Sequence, residues 1–404
     1  MSETTTTERV PSFPMERRCP YAPPAEYDRI RAENPVSQVE LPTGKRAWVL
    51  TRHEDVRAML ADPRFSSDRA NPQFPALVDN TRMREAFKPS LISMDPPEHG
   101  PARRAVVGEF TVRRMEALRP RIQEIVDQAI DDLLAAEEPA DLVTHLSLPV
   151  PSLVICELLG VPYADHEFFQ QHSGRLLSRE TTPEDRRHAV DQLTGYLDKL
   201  IVEKEAAPTD DLLGRQIVKQ REDNNVDHEA LVSLAFLLLI AGHETTANMI
   251  SLGVVALLEH PEQLKLLRDD PGLTLSAVEE LLRYFTIAEL ATTRLATEDV
   301  EIGGVLIKAG EGVIGLSNSA NHDPAAYERP DELDIARGAR NHVAFGFGAH
   351  QCLGQNLARM ELQIVFDTLF RRVPSLRIAR PVDELDYKRN STVYGLHSLP
   401  VAWT

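Results

Sequence analysis

The stretch HVAFGFGAHQCLGQNLARMELQIVFDTLF, His342 to Phe370, decides the fold. Its first half is a glycine-rich turn, and its second half repeats apolar residues at spacings of three and four. The turn therefore delivers Cys352 to the start of a helix. A cysteine exposed there meets backbone amides and the positive end of the helix dipole. Both favour thiolate over thiol, the form a metal ligand needs. Gly346, Gly348 and Gly354 let the backbone approach something flat and large. A bare Cys-Leu-Gly would equally describe a buried structural cysteine, but the ten residues from Phe345 to Gly354 make that reading improbable.

Upstream of this loop helical periodicity dominates, over residues 115–136, 151–160, 186–207 and 228–261. The last of these is apolar nearly all round, which predicts a helix running through the middle of a large domain. Residues 276–285 predict a further helix. Residues 47–51 read as a strand entering an amphipathic helix with Val56, Met59 and Leu60 on one side, and residues 300–315 as a glycine-punctuated hairpin. Between Asp62 and Pro97 the chain is rich in Pro, Asn, Ser and Arg without clean period, the signature of a long functional loop. The expected fold is mainly α with a minor β-sheet region: a flexible terminus over residues 1–18, then one catalytic domain over residues 19–404.

Composition narrows the function. The chain carries 44 Lys plus Arg against 62 Asp plus Glu, a net charge of −18, so no nucleic-acid partner is expected. A hydrophobic content of 42% fills a large core and excludes disorder as the dominant state. Cys19, Cys156 and Cys352 are too few for a disulfide framework, and no basic, apolar leader opens the sequence; a reducing cytoplasm is expected. The longest apolar run, Leu234 to Ala241, falls short of the roughly 20 residues that cross a bilayer, so no membrane association is expected.

FGFGAHQCLG, Phe345 to Gly354, resembles the haem-binding loop of the cytochromes P-450. AGHETT, Ala241 to Thr246, and Glu280 with Arg283 in EELLR resemble two further signatures of that family, in the right order, and the likeness extends over essentially the whole chain. It implies a helical prism enclosing haem b (iron protoporphyrin IX) along a long central helix, and a haem-thiolate monooxygenase that inserts one oxygen atom of O2 into a small molecule. Cys352 would be the axial ligand, with Phe345, Gly346, Gly354 and Ala241 around the macrocycle. His99 and Arg103 in DPPEHGPARR, Arg294 in ATTRLA, and His350 would hold the propionates, which as anions want Arg and His donors. Glu244 and Thr245 would be the acid and alcohol pair that manages protons. Glu244 alone could equally be salt-bridged to a neighbouring helix, yet a carboxylate on an apolar helix calls for a task or a partner. The Thr245 hydroxyl can bond back to the carbonyl four residues earlier, and Gly242 loosens the helix beside it. His243 has no evident role. Glu280 and Arg283 would lock the segment before the cysteine loop; the family's usual third position holds Glu332, and Arg337 is the nearest substitute.

By the same resemblance the substrate cavity would be walled by Phe74, Leu77, Val78, Phe87, Ile92, Leu237, Leu238, Ala241, Ile287, Leu290, Ala291, Val393 and Tyr394, each with ordinary core packing as its alternative. Arg69, Arg82, Arg84 and Lys88 could hold a polar end of a substrate or form a solvated face. Arg103, Arg104, Arg113, Arg114 and Arg359 would form a basic patch that steers an acidic electron carrier. No flavin domain is recognisable, so an iron-sulfur ferredoxin with its reductase is the expected electron source, and a monomer the expected state. MERRCPYAPP, LADPRFSSDR and EHGPARRAVVGEFTVRR are similar to actinobacterial members that modify polyketides, macrolides, terpenoids, sterol-like compounds and drugs. A peroxide-driven haem-thiolate enzyme would dispense with Glu244 and Thr245. A haem-based gas sensor would need neither that pair nor an apolar cavity.

Overall fold

The computed structural model of the chain describes residues 10–77 and 88–404. Its helices are α1 (Glu26–Glu33), α2 (His53–Ala61), α3 (His99–Val107), α4 (Val112–Ala135), α5 (Pro149–Leu159), α6 (His166–Leu177), α7 (Pro183–Ala206), α8 (Leu212–Glu222), α9 (His228–Glu259), α10 (Pro261–Asp269), α11 (Thr274–Phe285), α12 (Ser317–Asn321) and α13 (Gln355–Arg372). Its main sheet joins β1 (Val36–Glu40), β2 (Arg46–Leu50), β3 (Phe65–Ser66), β5 (Thr293–Ala296) and β8 (Gly312–Gly315) in the order β1-β2-β8-β5-β3, with β2 and β8 parallel and the other pairs antiparallel. β4 (Ala140–Asp141), β9 (Arg377–Ile378) and β10 (Pro400–Ala402) form a small second sheet, and β6 (Val300–Ile302) and β7 (Val305–Ile307) the expected hairpin. The predominance of helix over sheet agrees with the sequence reading.

Helix α9 is the axis. Asp227 caps it by accepting from the Ala230 amide at 3.1 Å, and its 32 residues span roughly 48 Å at 1.5 Å each. It is apolar and long enough to cross a membrane by length and composition, but here it packs against α5, α7, α11 and α13. Gly253 is what lets α13 come so close: a Cβ there would stand 2.4 Å from Cζ of Phe366. Leu231, Leu239, Ile250, Leu252, Val254 and Leu257 of α9 share one core cluster with α4, α5, α7, α11 and α13.

The N-terminal segment departs from the sequence reading. Residues 10–18 lie inside the stretch expected to fray, yet Phe13 is 2% exposed, packed with Tyr27, Val39, Leu41 and Val49, and its amide donates to the Glu40 carbonyl at 2.9 Å. A single aromatic in a polar segment has no period to announce its burial; tertiary contact alone tethers it.

Candidate active site

The cysteine loop leads from the end of the main chain's irregular stretch into α13. Gly346 and Gly348 take φ of +68° and +72°. At Gly348 any side chain is excluded, because a Cβ would lie 2.5 Å from the Leu60 carbonyl oxygen at the end of α2. At Gly346 the nearest neighbour of a Cβ would be the His350 carbonyl at 4.0 Å, and at Gly354 nothing comes within 4 Å, so these two glycines leave one face of the loop open. Cys352 is half-buried, and its amide donates to the Phe345 carbonyl at 2.8 Å. That bond corrects the expectation of an exposed thiolate at the very helix end: the loop folds Cys352 inward, three residues before α13 begins. Burial pushes the thiol up, against the Gly354 amide and the guanidinium groups of Arg103 and Arg359.

Beside the loop, α3 and β5 bring together the expected cationic residues. The rings of His99 and His350 lie 4.1 Å apart between centroids. Nε2 of His99 is buried without a hydrogen-bond partner. Arg294 is 6% exposed, donates to its neighbour's carbonyl at 2.8 Å, and forms no ion pair among the described residues. Burial, then the positive charge of Arg69, lowers its pKa to about 10. Burial, then Arg294 and His99, lowers His350 to about 4, so both the arginine charge and neutral imidazoles face this region at neutral pH. Arg103 reaches the loop itself, donating to the Gln351 carbonyl at 2.6 Å.

On α9 the Thr245 hydroxyl donates to the Ala241 carbonyl at 2.7 Å, as the spacing predicted, and the helix continues unbroken through Gly242. Ala241 is exposed and Thr245 half-exposed in the middle of the helix, while His243, Glu244 and Thr246 are buried. Glu244 is 5% exposed and engaged: Lys388 Nζ lies 3.0 Å from its Oε2, and Asn248 Nδ2 is 3.3 Å from the same atom. Burial raises this carboxyl, but Lys388, His243 and the two hydrogen bonds outweigh it and hold it below the ordinary carboxylate range. No local pattern announces Lys388, which lies 144 residues away. His243 bonds through Nδ1 to the Ser173 hydroxyl at 2.9 Å.

Glu280 and Arg283 are both 0% exposed. Arg283 donates twice to Glu280, at 2.8 Å each, and to the carbonyls of Asn321, Pro330 and Glu332. Arg337 Nε lies 3.0 Å from Glu280 Oε1, so the substitute named from the sequence is in contact. Next to this network, Glu279 joins Arg359 and His342. Burial raises Glu279, but its hydrogen bonds to His342 and Arg359 prevail and hold it at about 2. Arg359, stacked 4.7 Å from the Phe345 ring centroid, is thereby drawn out of the basic surface patch expected for it.

A family model of cytochrome P450 matches residues 34–270 and 272–385. The chain belongs to the cytochrome P450 family. It is 49% identical over 407 residues to the vitamin D3 dihydroxylase of Streptomyces griseolus, with 100% of both chains covered. The crystal structure of cytochrome P450 MoxA from Nonomuraea recticatena superposes with a TM-score of 0.92 at 60% identity, covering 97% of this chain and 98% of that one. The mycinamicin VIII C21 methyl hydroxylase MycCI from Micromonospora griseorubida, bound to mycinamicin VIII, does so with a TM-score of 0.92 at 43% identity, covering 98% and 100%. As a cytochrome P450, this chain is a monooxygenase, an oxidoreductase whose family cofactor is haem iron.

The residues present fit that cofactor on three counts. A thiol sits at the open face of a glycine loop, arginines without ion pairs among the described residues and an unpartnered imidazole nitrogen lie beside it, and α9 presents small Ala241 rather than a bulky side chain. Of the residues expected to wall a P450 substrate cavity, Leu238, Ile287 and Val393 are built into the main core and Phe74 is 7% exposed. Leu77, Leu237, Leu290 and Tyr394 are half-buried, while Ala291 and Ile92 are exposed. Leu237 and Leu238 separate because successive helical residues point about 100° apart. Val78 and Phe87, with Arg82 and Arg84, lie outside the described residues.

Proposed function

We propose that this P450 holds haem b through the Cys352 sulfur, with His99, Arg103, Arg294 and His350 binding its propionates, and hydroxylates bulky, mostly apolar small molecules. The observation that carries this reading is the convergence of a half-buried thiol with buried cations that lack carboxylate partners. When bound, haem supplies the activation of dioxygen from which one oxygen atom enters a C–H bond. Cys352 supplies the thiolate. Thr245 and Glu244 hold and move the protons: the hydroxyl is anchored at the Ala241 carbonyl, and the carboxylate must take up a proton against Lys388 before it can pass one on. Leu237, Leu290, Ala291 and Tyr394 are the wall residues left open to orient a substrate.

Relatives whose names specify vitamin D3 and a macrolide support a bulky, apolar substrate class. Electrons come from a ferredoxin with its reductase. The docking face is the end of α3 and the start of α4, where Arg104, Arg113 and Arg114 are exposed beside Val107 and Val112, at 43% and 63% exposure. The protein works as a cytoplasmic monomer. Optical titration of the ferric holoenzyme with macrolides, secosteroids and terpenoids tests the substrate class: a Soret shift toward high spin supports it, and no shift with any of them removes it. Cys352→Ala is expected to abolish turnover; retained turnover would remove the ligand assignment.

A further inference from the structure

The buried and half-buried arginines differ in their partners. Arg215, Arg283, Arg337 and Arg359 each meet a carboxylate. Arg17 and Arg179 form no ion pair among the described residues, and the Nε of each is buried without a hydrogen-bond partner. Neither belongs to the cluster beside Cys352.

These two arginines occupy one corner of the fold. Arg179 follows α6 and donates from Nη2 to the Arg389 carbonyl at 2.9 Å; Arg389 in turn donates to the Arg17 carbonyl at 3.0 Å. Arg17 lies 3.9 Å over the ring of Tyr394, one of the open wall residues. Both arginines lie within electrostatic reach of Tyr27, whose hydroxyl donates to Glu289 Oε2 at 3.0 Å. The second oxygen of Glu289, Oε1, is also buried and unpartnered. A pocket of about 260 Å³ opens beside Arg179, lined also by Pro42, Leu77, Glu180 and Asn390.

A guanidinium removed from water without a counter-charge costs several kcal/mol, and Arg stays charged regardless. Among the described residues no carboxylate forms an ion pair with either arginine, although Glu289 lies within electrostatic reach of Arg17 and Glu180 of Arg179. Glu180 accepts instead from Asn390 at 2.7 Å, and burial raises Glu289 to about 7, so it is only partly ionised near neutrality. The arrangement repeats the logic of the cluster beside Cys352, where unpaired cations await the carboxylates of a bound group. We propose that Arg17 and Arg179 form a carboxylate subsite at the mouth of the substrate cavity, selecting bulky apolar acids held by their acidic end. This rests on the reading of the cavity as a site for bulky apolar molecules and narrows it.

The test uses the ferric holoenzyme with abietic acid and methyl abietate, matched in bulk and differing in charge. The wild type is expected to bind the acid more tightly by Soret titration. Arg179→Gln and Arg17→Gln are expected to weaken the acid at least tenfold and the ester less than twofold, and Arg179→Lys to recover part of the loss by keeping the charge. Equal affinity for acid and ester in the wild type, or parallel losses for both in the variants, overturns the subsite while leaving the bulky-apolar reading intact. Should neither compound move the Soret band, equilibrium dialysis of labelled abietate reads occupancy directly. Retention by the wild type and release by Arg179→Gln then supports the subsite and removes the oxidation reading for this scaffold; equal retention overturns the subsite.

Discussion

Two buried clusters of charge, both close to the cysteine loop, are built on opposite terms. Around Arg283 every demand is met inside the chain: Glu280 takes two of its hydrogen bonds, three backbone carbonyls take others, and Arg337 adds its own charge to the same carboxylate. Around Arg294 the demands are left open: one short bond to a neighbouring carbonyl, an unpartnered His99 nitrogen, and a second arginine, Arg69, that repels it. A buried polar group left without a partner is costly, so a chain that satisfies one cluster completely and leaves the other hungry is shaped around something the sequence does not encode. The first cluster is architecture. The second we propose to be a receptor for anions.

Breaking the closed network should produce the largest effect. Arg283→Met leaves Glu280 buried with only Arg337 to answer it, at a cost of roughly 3 to 5 kcal/mol, a large part of a domain's whole stability. Loss of soluble, haem-containing protein on expression is the expected outcome; a variant that melts within a few degrees of the wild type would show that the network is dispensable.

Glu289 lies between the two extremes, with one oxygen bonded to Tyr27 and the other unpartnered. Its carboxyl is raised from 4.5 to about 7 by burial. The folded state therefore binds the proton more tightly than the unfolded chain, so its contribution is complete below pH 4.5 and lost as pH rises through 7. The displacement sets a ceiling of about 3 kcal/mol, at 1.36 kcal/mol per unit. Glu289→Gln should flatten this loss, which urea unfolding of both proteins at a series of pH values from roughly 4 to 8 would measure. Parallel stability curves would place the ionised carboxylate comfortably in the fold.

The open cluster predicts the opposite pattern to Arg283. Arg294→Met removes a buried cation that forms no ion pair among the described residues, so the apoprotein should melt no lower than the wild type, while haem leaves it at least tenfold faster, a difference of about 1.4 kcal/mol. Transfer of haem to an excess of an apo-globin gives that rate. A fall in apoprotein stability equal to the fall in haem retention would make Arg294 a structural residue like Arg283.

The same contrast explains what could be read from the sequence. Cys352, Glu280, Arg283 and the course of α9 were legible because local spacing carries them, through a glycine turn, an i, i+3 pair and a long apolar period. Arg337 was reachable because it lies near the expected position. Lys388 against Glu244, Phe13 under β1 and Arg359 against Glu279 were not, since contacts across tens to hundreds of residues leave no periodic trace. The exposure of Cys352 is not legible in the same way, because the inward bond from its amide to Phe345 depends on backbone turns at Gly346 and Gly348 that a pattern of residue types does not specify.

Thr245 offers the finest discrimination between the two kinds of polar group. Its hydroxyl is satisfied locally, by the Ala241 carbonyl one turn back, and that single bond on a partly exposed helix face contributes little to stability. Removing the hydroxyl in Thr245→Ala should change the melting temperature by no more than a few degrees and leave haem bound. If the hydroxyl serves only the helix, the effect ends there. If it holds a proton for the reaction, NADPH consumption continues while product per NADPH falls several-fold and peroxide rises in its place, and Thr245→Ser, which keeps the hydroxyl, restores most of the yield. Unchanged coupling in Thr245→Ala would return the residue to the closed, structural class and leave Glu244, pinned by Lys388, to carry the proton traffic alone.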